Sequence, residues 1–112
     1  MLLGFSASAL VSNPSRSLIA QVNTGAAPIG LALANGGRRI LVANSNVHNQ
    51  QVPSGVAVIS TSAALSRGHA LLGQVSTGAI PREISLEPDG KTALATSNGS
   101  GQLQAIDLGS LP

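Results

Sequence analysis

The chain has 112 residues, of which 43% are hydrophobic and only 9% charged, against the ~25% charge usual in globular domains. Its net charge is +2, cysteine is absent and Phe5 is the single aromatic residue. This excludes disulfide and thiolate chemistry, and it argues against a nucleic-acid interface, which needs clustered cations and often aromatic stacking.

The apolar start, Met1 to Phe5, lacks the basic flank and cleavage site of a secretion signal. It is expected to begin in mid-strand, as a fragment would. Apolar spacing favours period two, and Gly and Pro recur too often for long helices. A first strand is expected over Ser6 to Val11, closed by Ser12-Asn13-Pro14-Ser15, and a second over Leu18 to Val22. Residues 23–28 connect to a strand over Ile29 to Ala34. Asn35-Gly36-Gly37 then offers the positive φ angles of a tight hairpin, and Arg39 to Asn44 returns. A polar loop, Ser45 to Gly55, leads to a strand over Val56 to Ser60. The polar, Ala-rich stretch Thr61 to Gly68 reads as a short helical turn, and Ala70 to Val75 as a strand. Glu83 to Leu86 is expected to pair with Thr92 to Ser97 through the reverse turn Pro88-Asp89-Gly90. Asn98-Gly99 marks another turn, and Gln102 to Asp107 is the ninth short strand. No stretch reads as a membrane span: the uncharged run from Ser17 to Gly37 is broken by Gly, Pro, Asn and Gln.

The chain also repeats itself. Gln21 to Pro28 (QVNTGAAP) returns as Gln74 to Pro81 (QVSTGAIP) at an offset of 53 residues. The register then holds through Leu31/Ile84, Leu33/Leu86, Gly37/Gly90 and Leu41/Leu94. A repeat of this length, made of short apolar runs and Gly turns, points to a β-repeat architecture. The copies differ by one insertion: Ile59 follows Asn44 at an offset of 15 residues and Ile106 follows Ser97 at an offset of 9. Insertions in repeat proteins map to loops on one face, often the binding face, which singles out Val47 to Pro53 with His48, Asn49 and Gln50.

Pro81 to Ser97 (PREISLEPDGKTALATS) followed by Gln104 to Asp107 (QAID) resembles the YVTN-type β-propeller repeat, with its Pro-led strand, Pro-Asp-Gly-Lys turn and strand ending in Val-Ile-Asp. Pro28 to Asn44 and Val56 to Ser60 follow the same order more loosely. Leu41 and Leu94 stand where the family has Tyr, Asn35-Gly36 replaces Pro-Asp, and Ser97 replaces Asn. The resemblance implies an all-β fold of antiparallel four-stranded blades, forming an incomplete propeller of about two blades plus part of a third. Residues 6–22 would be the outer strands of one blade, 28–75 a full blade, and 81–108 three strands of the next. A closed propeller needs ~4–8 blades of ~40–45 residues, so this chain would be a piece of a longer protein or of an assembly. By the same resemblance Arg82 and Glu83 follow the Pro that opens the innermost strand and would sit at the mouth of a central channel.

Other motifs read as structure. Gly90-Lys91-Thr92 ends like a phosphate loop, but Ser85 stands where the first Gly should be and a strand follows. His48 and His69 have no sequence-placed Ser or acid beside them, and two His without Cys make no metal pattern. Asp107 reads as a turn cap. No catalytic residue, cofactor or metal is expected. The leading expectation is a non-enzymatic scaffold, with Arg82, Glu83, His48, Asn49 and Gln50 as binding residues. Its partners would be other blades of the same parent chain or separate proteins, without nucleic acid or a membrane span. The alternative is part of a lactonase-like propeller hydrolase whose site other blades complete; a third is a purely structural segment. The resemblance favours an extracytoplasmic location, in the periplasm or at the cell surface.

Overall fold

The computed structural model describes residues 1–49 and 51–112. The chain is all-β, with antiparallel pairing throughout the described residues and two short helices. The strands are β1 (Leu2–Phe5), β2 (Leu18–Val22), β3 (Pro28–Ala34), β4 (Arg39–Asn44), β5 (Gly55–Ser60), β6 (Leu71–Ser76), β7 (Pro81–Leu86), β8 (Thr92–Ser97) and β9 (Gln102–Asp107). They form three sheets in simple sequence order: an N-terminal sheet β1-β2, a central sheet β3-β4-β5-β6 and a C-terminal sheet β7-β8-β9.

The sheets stack face to face, and this explains the sequence pattern of the middle strands. Ile40 to Ala43 and Val56 to Ile59 are continuous apolar runs because the central sheet is covered on both sides. One side chain set, Leu41, Val56 and Val58, packs against Ala93, Ala95 and Ile106 of the C-terminal sheet. The alternate set, Val42, Ala57 and Ile59, packs with Ala20 and against Leu2 and Val22 of the N-terminal sheet. Large residues on one sheet meet alanines on the other, so the faces interdigitate without an aromatic core. Each fully buried Leu, Val or Ile contributes about 1.5–3 kcal/mol relative to exposure. The outer strand β6 alternates half-buried and exposed, as a strand at a sheet margin does.

The one element that departs from its expected type lies at the start. Residues 7–12 are not a strand but a helix, α1 (Ala7–Ser12), and the strand is Leu2–Phe5 before it. Ser6 caps the helix: its Oγ accepts from Ala9 N at 3.3 Å. The second helix, α2 (Thr61–Leu65), falls in the stretch expected to turn helically and is capped identically, Ser60 Oγ accepting from Ala63 N at 3.3 Å. The other differences are at boundaries. Pro28, Gly55 and Pro81 join their strands, and β6 runs Leu71–Ser76. The turn at Asn98 takes its positive φ at Gly101 rather than Gly99. The hairpin after β3 uses positive φ at Asn35, Gly36 and Gly37, as the sequence predicts.

Two ends of the stack differ in character. The sheet-to-sheet connections 23–27 and 77–80 lie with residues 45–49, 51–54 and 98–101 at one end, the loop end. The tight turns 35–38 and 87–91 and both helices lie at the other.

Candidate functional site

The loop end holds most of the buried polar side chains: Thr24, Asn44, Ser45, Asn46 and Ser97 are all nearly inaccessible. At the end of β4, Asn44 Nδ2 donates to Thr24 O (2.6 Å) and Ser45 Oγ donates to Ala27 O (2.8 Å). Asn46, at a positive φ of 50°, turns back and donates to Pro53 O (2.8 Å) and Val52 O (3.3 Å). Side-chain amides thus close the base of the insertion where no strand pairing can. Three oxygens in this region, Thr24 Oγ1, Asn44 Oδ1 and Asn46 Oδ1, are buried without a protein donor. In the second copy the arrangement is rebuilt: Gln104 Oε1 accepts from Gly78 N (2.7 Å) and from Ser97 Oγ (3.2 Å).

Above that base the described residues of the insertion are exposed. Val47, His48 and Asn49 face outward, and Asn49 N donates to Asn46 O (2.9 Å) while Asn49 Oδ1 accepts from Gln51 N (3.2 Å). Gln50 lies outside the described residues.

Arg82 and Glu83 owe their position to a bulge. Pro81 pairs with Ser97 and Ile84 with Ala95, so the two charged residues stand opposite Thr96 alone. Glu83 N donates to Thr96 Oγ1 at 3.2 Å instead of to a backbone carbonyl. Two residues against one is the signature of a β-bulge, which re-aims side chains. Ile80, just before it, has φ 56°, a conformation costly for a β-branched residue. Its repeat mate Ala27 does the same at φ 47°, so the entry into the Pro-led strand is a repeated device. Both charges are exposed and line a shallow depression of about 560 Å³ together with Thr96, Asn98, Gln102 and Leu103. His48 and Asn49 are not among its lining residues, so the structure does not bring the two predicted groups into one site.

The repeat explains that depression. Ile29 and Gly30 hold the matching places in β3, and there the C-terminal sheet has filled the space: a Cβ on Gly30 would collide with the Arg82 carbonyl oxygen. The depression beside Arg82 is therefore the same seat one sheet further along, uncovered.

The remaining motifs are structural. In the turn before β8, Asp89 Oδ1 accepts from Lys91 N (2.8 Å) and Thr92 N (2.9 Å), and Thr92 Oγ1 donates to Asp89 Oδ2 (2.9 Å). The Lys91 N–H first, and the Thr92 hydroxyl next, hold this carboxyl below the usual aspartate range. Asp107 Oδ1 accepts from Gly109 N at 2.9 Å and caps the closing 3₁₀ turn. His48 and His69 are both exposed. Among the described residues no three His, Cys, Asp or Glu side chains converge as metal ligands would, and no helix is long and apolar enough to cross a membrane.

No family model matches the chain, and no curated protein matches it. Sequence reasoning passed over the buried amides, because Asn44 reads as the last residue of a strand and Ser45-Asn46 as the start of a loop. The signal was present in Asn44, which ends a strand of four apolar residues and is followed by a polar run too long for a hairpin turn.

Proposed function

We propose that the chain is a segment of a β-propeller of the YVTN type, acting as a non-enzymatic scaffold that presents its loop end to a protein partner. The observation that carries this reading is the construction of the loop end. Three buried polar residues of β4 and its extension, Asn44, Ser45 and Asn46, are spent on holding the base of an insertion that the second copy lacks. A buried amide bonded to carbonyls fixes a loop without contributing apolar burial, and such rigid presentation lowers the ordering cost of binding. The propeller reading draws support from the sequential four-stranded central sheet and from the two stacking junctions built of repeat-equivalent positions. Arg82 and Glu83 add charged groups at the same end, on a bulge that turns them outward.

The experiment is site-specific photo-crosslinking in the cell of origin, with a benzophenone amino acid at position 48 and, as control, at position 89 on the far end. One partner captured from position 48 and not from 89, whose binding to the unlabelled chain is lost when Val47–Pro53 is replaced by Asn-Gly, supports the scaffold reading. Equal capture from both positions, or none from 48, overturns it.

A further inference from the structure

The two junctions within the chain are the same junction. In the central sheet Ala57 pairs opposite Gln74 and Ile59 opposite Leu71, with a register shift between Val58 and Ile59. In the N-terminal sheet Leu3 pairs opposite Gln21 and Phe5 opposite Leu18, with a register shift between Gly4 and Phe5. β1-β2 is thus the counterpart of β5-β6, down to the bulge. Ala57 and Ile59 form the back of the central sheet and are fully buried against the N-terminal sheet, helped by Ala64 of α2. Their counterparts on the back of the N-terminal sheet are bare: Leu3 is 45% exposed, Phe5 48% and Leu10 of α1 49%.

The front faces tell the same story. Leu41 pairs opposite Val58 and Ala43 opposite Val56; Leu94 pairs opposite Ala105 and Thr96 opposite Leu103. The first set is fully buried beneath the C-terminal sheet, whereas Leu103 is 66% exposed, Ala105 and Thr96 are exposed and Leu94 is half-buried. So the molecule carries one uncovered front, on the C-terminal sheet, and one uncovered back, on the N-terminal sheet. These are the two halves of a contact it already makes twice.

We propose that the uncovered front of one copy receives the uncovered back of a second copy, giving head-to-tail self-association. Leu103 and Ala105 would face the second copy's Leu3 and Phe5, as Val56 and Val58 face the back of the C-terminal sheet. Phe5, the sole aromatic, is the anchor such an interface uses. The front differs from its internal counterpart in being partly polar: Thr96 replaces Ala43, and Arg82 and Glu83 replace Ile29 and Gly30. An apolar centre with a polar rim is the anatomy of a contact between separate molecules rather than of a covalent interior. Ile29 stays 51% exposed beneath the C-terminal sheet, so the Arg82 position remains accessible when the seat is filled. The contact is heterologous, front to back, and joins more than two copies into a ring or a row. The proposal rests on the junctions within the chain and not on the loop-end reading, so either can fail alone.

The test is sedimentation of the purified chain at concentrations up to roughly 1 mM, the range in which even a weak contact is visible. Wild-type chain is expected as multiples of 11.1 kDa. Leu103→Glu and Phe5→Glu each bury an unpaired charge and should each weaken association by at least about a hundredfold. Mixed together, they should restore one intact junction, because the front-blocked chain keeps its back and the back-blocked chain keeps its front. The mixture should stop at twice 11.1 kDa. Both positions are exposed, and far-UV circular dichroism checks the fold of each variant. Should either variant unfold, Leu103→Ser and Phe5→Ser give the same complementation at lower cost to the fold. A folded wild-type monomer at the highest concentration overturns the proposal. So does an oligomer that tolerates either substitution alone, since that contact would be a different one.

Discussion

Gly30 shows how one residue sets the spacing of two sheets. Its missing Cβ is where the Arg82 carbonyl oxygen sits, and the obstacle is backbone, which cannot rotate away. Gly30→Ala should therefore lower stability by about 1–3 kcal/mol, the cost of overpacking a tight site. Gly68, whose nearest neighbour to an added Cβ is 3.6 Å away, is the control, and Gly68→Ala should stay within about 0.5 kcal/mol. Urea denaturation of the two variants decides it. Asp89 makes a different prediction. Hydrogen bonds from Lys91 and Thr92 depress its folded pKa, so the folded state binds its proton less readily than the unfolded state does. Its contribution is present above the ordinary aspartate pKa of about 3.9 and is lost as the pH falls through the depressed value. Asp89→Asn should thus destabilise at neutral pH and converge on wild type in strong acid, read from melting temperatures across that range. The turn itself was legible in Pro88-Asp89-Gly90, because turn residues act through their own backbone. The role of Gly30 was not, because the atom it avoids comes from a strand 52 residues away.

At the scale of elements, the strand ends carry a device that the sequence shows three times but that pairwise matching of the copies did not expose. In Phe5-Ser6, Ile59-Ser60 and Ile106-Asp107 an apolar residue at a strand end is followed by a polar one that caps a short helix or 3₁₀ turn. Residues 6–9 alternate small polar and apolar side chains, which imitates a strand, yet α1 buries nothing, so the alternation recorded no burial. Lining up Ser6-Ala7-Ser8 with Ser60-Thr61-Ser62 would have found it; the offset there is 54 rather than 53, and the copies slip by one residue. The nine-strand count and the hairpin partners were otherwise readable, since Gly and Pro turns bound most strands. The caps should differ in weight. Ser60→Ala removes the cap of a helix that buries Ala64 against the N-terminal sheet and should cost about 1 kcal/mol. Ser6→Ala, in a helix with no buried residue, should cost clearly less. A Ser6→Ala effect equal to that of Ser60→Ala would mean that α1 is held by contacts beyond its own chain.

For the whole molecule, stacking of near-identical units makes stability a sum of unit terms and nearest-neighbour terms. The central sheet has two neighbours and the outer sheets one each, so opening should proceed from the outside. The N-terminal sheet is the weaker flank: it has two strands, its front meets the central sheet through Leu2, Ala20 and Val22, and its back is bare. The C-terminal sheet has three strands and a tighter junction, with Ala93 and Ala95 fully buried. Native-state hydrogen exchange should therefore rank the amides of β4 and β5 slowest, those of β8 next, and those of β1 and β2 fastest. Uniform protection across the three sheets would show that the junctions are too strong for the units to open separately, and the stack would then behave as one core. The ranking also carries the association proposal to a second observable. Raising the protein concentration should slow exchange in β1 and β9, the strands whose faces a neighbouring copy covers, and leave β4 and β5 unchanged because both of their faces are already buried within the chain.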